Sequence, residues 1–473
     1  MTSTVSHVPP RARSRPRRWI ERLVWLALAA LAMRTWYVQG LLIPCQVTSG
    51  SMAETLLGPH REVICGDCGH RFVCGADLRP VSVRAVCPYC GHTQNDLETL
   101  PDIDGDRLLI GKSSFAFRRP RRWEVVALRR PREADRIHVK RVVGLPGETV
   151  LIRHGDVFAD GQIRRKTLSQ QRAMAILVHD ATCRPTLDPV PPTRWQAERA
   201  DSRWGASGGR FARPSMAENE PIDWLVYHHW HRRAGPRGSV VEGPVTDLVG
   251  YNQTRPRRQE DVHPVTDLLL SLRLIEASGP GRLLIRADDG SEQFDVRIDP
   301  SRGRYEVLHN GRPLGTTTGR LPDRDETLLV EVSLFDQQFL LAFDGRPAFA
   351  PWPYERRSAA PKPKSQPLAI GAQGLGVLIH DVAIYRDVYY THSLGFPGHT
   401  TRGGTYKLGP DEYFVLGDNS PISDDSRTWP EGHAVDAKFL VGKPLLVHFP
   451  ARPWTLGGWV FQVPDSARIR YIR

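Results

Sequence analysis

The sequence predicts a mainly β protein with one N-terminal apolar helix and two inserted units. Three observations carry this expectation. Between about 216 and 395, alternating apolar runs succeed one another, separated by turn signals. Strand-like runs also fill 105–152 and return over 396–473. A single long apolar stretch, 19–44, precedes them all, and five of the seven cysteines crowd into 65–90.

The N-terminus is strongly basic, with "RARSRPRR" at 11–18, in a chain of 473 residues and net charge +12. Such a balance suits nucleic acid or an anionic membrane surface. The next segment selects the membrane. From Trp19 to Pro44 only Glu21, Arg22 and Arg34 are charged. The fully apolar run Leu23–Met33 is short against the ~20 residues a span needs. Trp19, Ile20, Trp36 and Tyr37 as interfacial aromatics, with Arg34 snorkelling, extend it to one transmembrane anchor. Arginines before the span put the N-terminus in the cytoplasm and the rest of the chain on the extracytoplasmic side of the cell membrane. Two alternatives remain: a buried core helix, and a cleaved signal peptide with "ALA" (30–32) as its processing site. An extracytoplasmic location makes nucleic acid an unexpected partner.

The expected organisation is a basic cytoplasmic tail (1–18), the anchor (19–44), a first part of a β core (45–165) interrupted at 61–97, a linker rich in Arg, Pro and Ala (166–215), a β-sandwich insert (216–395) and the second part of the core (396–473).

The 61–97 segment contains Cys65-x2-Cys68 and Cys87-x2-Cys90, separated by 18 residues, with Gly69 and Gly91 after the pairs. This is zinc-ribbon spacing. Four thiolates make a closed tetrahedral structural site with no position left for catalysis. Two disulfides are the alternative in an oxidising compartment.

In "GDRLLIG", "WEVVAL" and "HVKRVVG" the core reads as strands and hairpins. In the sandwich region, "QFDVRID" puts Phe294, Val296 and Ile298 on one face, and "LLVEVSLF" aligns Val330, Val332 and Leu334. "NGRP" (310–313) and "DGRP" (344–347) read as hairpin turns, where Asn-Gly and Asp-Gly supply positive φ. PVTDL occurs at 244–248 and again at 264–268, too short to make a repeat. The pattern "VEVSLFDQQFLLAFDGRP…LAIGAQGLGVLIHDVAIYRDVYY" resembles the laminin-G or concanavalin-like jelly-roll class. That resemblance implies a possible glycan or protein ligand without naming ligand residues.

Chemistry centres on "TSGSM" (48–52). A serine is a weak nucleophile until a base takes its proton. The histidines of "HHWH" (228–231) lack carboxylate or cysteine partners in sequence and read as a surface strand, and no H-E-x-x-H occurs. "GDRLLIGKS" (105–113) has five bulky residues between its glycines and is no phosphate loop. Lysine is left. Lys140 lies in the strand-like "IHVKRVVGLPGE" (137–148) among Ile137, Val139, Val142 and Val143. Burial there would lower its pKa from ~10.4, and reaching ~8 would cost about 3 kcal/mol. Taken alone, the strand is better read with Lys140 facing solvent.

Four boxes in order change that reading: "TSGSM" after an apolar span, "GDRLLIGK" (105–112), "VKRVVGLPGE" (139–148) and "YFVLGDNSPISDDSR" (413–427). In these the chain resembles the type I signal peptidases, the Ser-Lys membrane proteases. The resemblance implies a signal-peptidase-type antiparallel β catalytic core, with Ser51 as nucleophile and Lys140 as general base. It implies Ser49 as an oxyanion donor beside the Ser51 N–H, and Ser423 as the group that orients the lysine. Asp425 and Arg427 would form a supporting ion pair with Arg141 nearby, and Gly417, Asp418 and Asn419 would shape the loop. No cofactor is implied for catalysis. The implied substrates are signal peptides of exported precursors, with small residues at −1 and −3. The chain departs from the family at Glu54, where proline is usual, and in its two inserts. A membrane-tethered binding protein on a decayed peptidase scaffold is the rival reading, marked by loss of Ser51, Lys140 or Ser423; all three are present. A self-cleaving regulator would show a helix-turn-helix signal before the span, and none is seen.

Overall fold

The computed structural model describes residues 15–77, 82–188, 190–232, 239–254, 262–314, 319–322, 327–356, 362–391, 404–456 and 459–472. Most of the basic tail (1–14) and the expected sandwich–core join at 395/396 lie outside the described residues.

The apolar stretch forms a helix, α1 (Arg15–Ala32), that continues through a π-helical turn, Met33–Val38, to Leu41. Trp19, Ile20, Leu23, Val24, Trp25, Leu26, Leu28 and Leu31 are all exposed, so α1 contributes nothing to a core. Among the described residues no helix is long and apolar enough to cross a membrane. The expected span 19–44 is also trimmed at its end: Leu42, Ile43 and Pro44 belong to a strand.

That strand, β1 (Leu42–Gln46), begins an eight-stranded antiparallel sheet. It continues with β2 (Arg107–Gly111), β3 (Val125–Arg130), β4 (Glu133–Gly144), β5 (Glu412–Leu416), β6 (Val435–Asp436) and β7 (Leu440–Phe449). The spatial order is β1-β2-β7-β3-β4-β5-β6, and Arg470–Tyr471 pairs beside β7. The sheet is thus built from both ends of the chain. β4 pairs β5 with Gly144 opposite Phe414 and Arg141 opposite Leu416. This one pairing brings the "VKRVVG" and "YFVLGDN" boxes side by side. A small second sheet, 149–163 with Tyr406–Lys407, is likewise shared between the two ends.

Between them in sequence lie sheets of nine and eight strands whose buried side chains share one core. Phe294, Val296, Ile298, Val330, Val332 and Leu334 are all buried in the core between them, as period-2 alternation requires. Asn310 and Gly311 have φ of 50° and 77°, and Asp344 and Gly345 have 46° and 80°, so both predicted hairpin turns carry positive φ at both central residues. The two PVTDL copies lie side by side, with Val265 N–H donating to Val245 C=O at 2.8 Å.

The expected linker 166–215 is largely part of the sandwich. Ile176–Asp180 and Arg210–Arg213 pair with Gly376–Arg386, and Trp195–Ala197 pairs with Asp223–Tyr227. Trp195 and Phe211 are buried in its core. These strands are short and set among Arg and Pro, so they carry too few alternations to register as strands. Their long neighbour supplies the ladder.

The cysteine segment forms two small hairpins, His60–Ile64 with Arg71–Gly75 and Arg84–Ala85 with Asn95–Asp96.

Candidate active site

Ser51 sits in a short 3-10 turn, Gly50–Met52, just after β1. Lys140 sits in β4 opposite Val126 of β3. Its Nζ lies 2.9 Å from Ser51 Oγ and 3.2 Å from Ser423 Oγ. Lys140 is 3% exposed. Burial lowers its pKa to about 8, against the pull of Asp425 and Asp424. Ser49 Oγ is 3.4 Å from Ser51 Oγ and exposed.

The loop after β5 closes the site. Gly417 has to be glycine: a Cβ there would meet Ser423 Oγ and the Ser51 carbonyl, each at 2.3 Å. The Gly417 N–H donates to Asp425 Oδ2 at 3.0 Å. Burial works against the Asp425 carboxylate, but the Arg427 guanidinium bonded to it at 2.8 and 2.6 Å holds its pKa below the usual range. Arg141 turns instead to Asp418, bidentate at 2.7 and 2.6 Å, with both side chains 1% exposed. Asp418 also accepts from Thr55 Oγ1 at 2.5 Å, which ties the loop to the segment after Ser51. The Asn419 N–H donates to the Ser51 carbonyl at 3.1 Å, and its side chain donates to the Gly50 carbonyl at 2.9 Å. The residues singled out for chemistry and its support therefore meet in one place.

Three groups at this site were missed in the sequence. Asp77, beyond the first cysteine hairpin, accepts from the Gly50 N–H at 3.3 Å. Tyr251 and Asn252, from a short turn in the sandwich insert (Gly250–Thr254), pack on the Ser51 loop. "GYNQT" carries no pattern that would flag it. A cavity of about 910 Å³ lies nearby, lined by Glu54, Leu57, Phe72, Met174 and Arg470 among others, but neither Ser51 nor Lys140 opens into it.

Cys65, Cys68, Cys87 and Cys90 are buried, and their sulfurs all lie within 4.8 Å of one another. Cys65–Cys90 and Cys68–Cys87 are 3.6 and 3.8 Å apart, and none is in a disulfide. A tetrahedron of thiolates about 2.3 Å from one zinc ion has edges of about 3.8 Å, so the cluster fits that metal. Its surroundings fit too. Arg194 lies 4.4 Å over the Tyr89 ring and donates to the Tyr89 carbonyl, placing a buried cation beside the Cys87–Cys90 knuckle. In the other knuckle Asp67 accepts from Arg232 at 2.8 Å and from the N–H groups of Thr186 and Leu187. The "HHWH" run is only partly on the surface: His229 is buried against Tyr227 and Arg194, and burial holds it neutral, its pKa well below 6.5.

A serine hydroxyl against a buried, partly deprotonated amine is the arrangement a Ser-Lys hydrolase requires. Over residues 81–194 the chain matches the family model described as signal peptidase, peptidase S26. Signal peptidase I of Leptolyngbya laminosa is 39% identical over 72 residues, which are 13% of this chain and 35% of that protein. The probable signal peptidase I-1 of Synechocystis sp. (strain ATCC 27184 / PCC 6803 / Kazusa) is 34% identical over 71 residues, 13% of this chain and 36% of that protein. The chain spans about a third of the length of these curated relatives. It thus carries a segment similar to a signal-peptide-cleaving peptidase. Among solved structures, the carbohydrate-binding module CBM66 from Bacillus subtilis aligns with a TM-score of 0.24 at 9% identity, covering 40% of this chain and 94% of that one. The Caenorhabditis elegans galectin LEC-6 aligns at 0.18 and 16%, covering 24% and 81%. Likenesses at this level say nothing about what the sheets bind.

Proposed function

We propose that the protein is a membrane-anchored serine endopeptidase that removes N-terminal signal peptides from exported precursors. The carrying observation is the 2.9 Å approach of Lys140 Nζ to Ser51 Oγ, with the amine buried and its pKa lowered to about 8. The family match over 81–194, which includes Lys140, supports the substrate class.

In the proposed reaction Ser51 Oγ attacks the scissile carbonyl while neutral Lys140 takes its proton. The ammonium formed returns that proton to the leaving amine. The resulting ester on Ser51 is resolved by a water that Lys140 deprotonates. The Ser51 N–H and the Ser49 hydroxyl would stabilise the oxyanion. Ser423 would hold the amine, while Arg141–Asp418 and Asp425–Arg427 would fix the loop. The exposed apolar flanks of α1 support an N-terminal membrane anchor with the catalytic unit on the extracytoplasmic side. Cys65, Cys68, Cys87 and Cys90 would hold one structural zinc, which takes no part in the chemistry. The sandwich would take a glycan or protein ligand.

Incubating detergent-solubilised wild type, Ser51→Ala and Lys140→Ala with an exported precursor carrying an Ala-X-Ala cleavage site tests the proposal. Processing is expected from the wild type alone; equal processing by all three would overturn it.

A further inference from the structure

The peptide groups on either side of Gly50 are held, directly or at one remove, by segments outside the shared β core. Its N–H is taken by Asp77 of the cysteine segment and its carbonyl by the Asn419 side chain. Asn419 is itself held by Asn252, which comes from the sandwich insert. Asn252 Nδ2 donates to Asn419 Oδ1 and Asn419 Nδ2 donates to Asn252 Oδ1, both at 2.7 Å. Two of the three hydrogen bonds that orient the Asn419 amide therefore come from the insert. Asn419 is fully buried and Asn252 nearly so, so no bulk water can replace these bonds.

The neighbouring Tyr251 fills the remaining space. A Cβ on Gly50 would lie 1.9 Å from its ring, and one on Gly75 would lie 2.5 Å from it. Its hydroxyl donates to the Pro59 carbonyl at 2.8 Å. The glycine between the two serines is thus demanded by a ring from the insert, and the turn 250–254 is wedged between the nucleophile loop and the cysteine segment.

We infer that Asn252 is a positioning residue for the Ser51 loop, acting through Asn419, so that the sandwich insert completes the active site besides whatever it binds. The inference rests on the Ser-Lys reading above. Asn252 touches neither reacting atom. It sets the rotamer of Asn419, which fixes the Gly50 carbonyl and, through its own N–H, the Ser51 carbonyl. A loop displaced by a fraction of an ångström loses the near-attack position of Oγ over the face of the substrate carbonyl.

The test uses the full-length chain in detergent, with Asn252→Ala, Asn252→Asp, Asn419→Ala and the N252A/N419A double variant, and the Ala-X-Ala precursor as probe. Asn252→Ala is expected to lower kcat by about 10- to 100-fold with KM within about twofold. Asn252→Asp, which keeps the acceptor but sets a buried carboxylate oxygen against Asn419 Oδ1, should not recover the loss. The double variant should be no slower than Asn419→Ala alone, because one residue acts through the other. Amide hydrogen exchange at 49–53 should quicken in Asn252→Ala while the sandwich strands 293–299 and 328–335 stay protected. An unchanged kcat, additive losses in the double variant, or exchange quickening equally across the sandwich would overturn the inference. The exchange measurement needs no substrate, so it separates the two readings. If Ser51→Ala still processes precursor, the peptidase reading fails whatever the exchange shows. If Ser51→Ala is inactive and exchange at 49–53 is unmoved by Asn252→Ala, only this inference fails.

Discussion

Lys140 Nζ donates to Ser51 Oγ at 2.9 Å across 89 residues of sequence. The contact exists because β4 is flanked by β3 on one side and by β5 on the other, so the lysine is enclosed by elements from both ends of the chain. Enclosure is also what lowers its pKa, and it makes the site sensitive to pH and to the loop that covers it.

Activity should track deprotonation of Lys140. With a pKa of about 8, the neutral amine is the minor form at pH 7. kcat/KM should climb nearly tenfold per pH unit below 8 and level off above it. A profile measured from pH 6 to 10 that is flat, or that falls over this range, would remove lysine as the base.

Lys140→Met should abolish activity and yet stabilise the fold. The folded pKa lies below the ordinary 10.5, so the folded chain is penalised wherever the amine is protonated. The penalty is complete well below pH 8, amounts to about 3 kcal/mol, and fades as pH rises from 8 to 10.5. Urea unfolding of both proteins at pH 7 and pH 10 should show the variant ahead at pH 7 and the gap narrowed at pH 10.

Gly417→Ala places a methyl 2.3 Å from both Ser423 Oγ and the Ser51 carbonyl. Precursor cleavage should fall by about 100-fold or more, since both partners of Lys140 are pushed away. Retained wild-type rates would mean that the loop is free to move aside.

Asp418→Ala strands the buried Arg141 guanidinium. Removing one partner of such a pair typically costs about 3–5 kcal/mol. A drop of that size in unfolding free energy is expected, read by denaturant titration, whereas less than about 1 kcal/mol would mean that water reaches Arg141.

One zinc per chain should be found by metal analysis of the purified protein, and Cys87→Ser should lose it. Full thiol titration of all four cysteines without metal, or no free thiols among them, would refute the zinc site.

Several features were legible along the chain. The alternation in 293–299 and 328–335 fixes which side chains face the sandwich core, and Asn-Gly and Asp-Gly fix its turns. The cysteine spacing brings two pairs to a common centre. The four boxes point to the site through their resemblance to the type I signal peptidases, whereas the strand around Lys140 does not by itself show which way the amine faces. The strands Ile176–Asp180 and Arg210–Arg213 were not legible, since pairing with Gly376–Arg386 rather than their own pattern makes them strands.

By itself the sequence determined which residue types could do chemistry and which faces had to be buried, because side-chain polarity and spacing of two are local properties. Only the tertiary structure decided that Arg141 takes Asp418 rather than the Asp425–Arg427 pair, and that Asn252, Tyr251 and Asp77 converge on the Ser51 loop around Gly50. Those contacts depend on how distant segments stack, and the packing of one buried amide against another leaves no periodic trace in the chain.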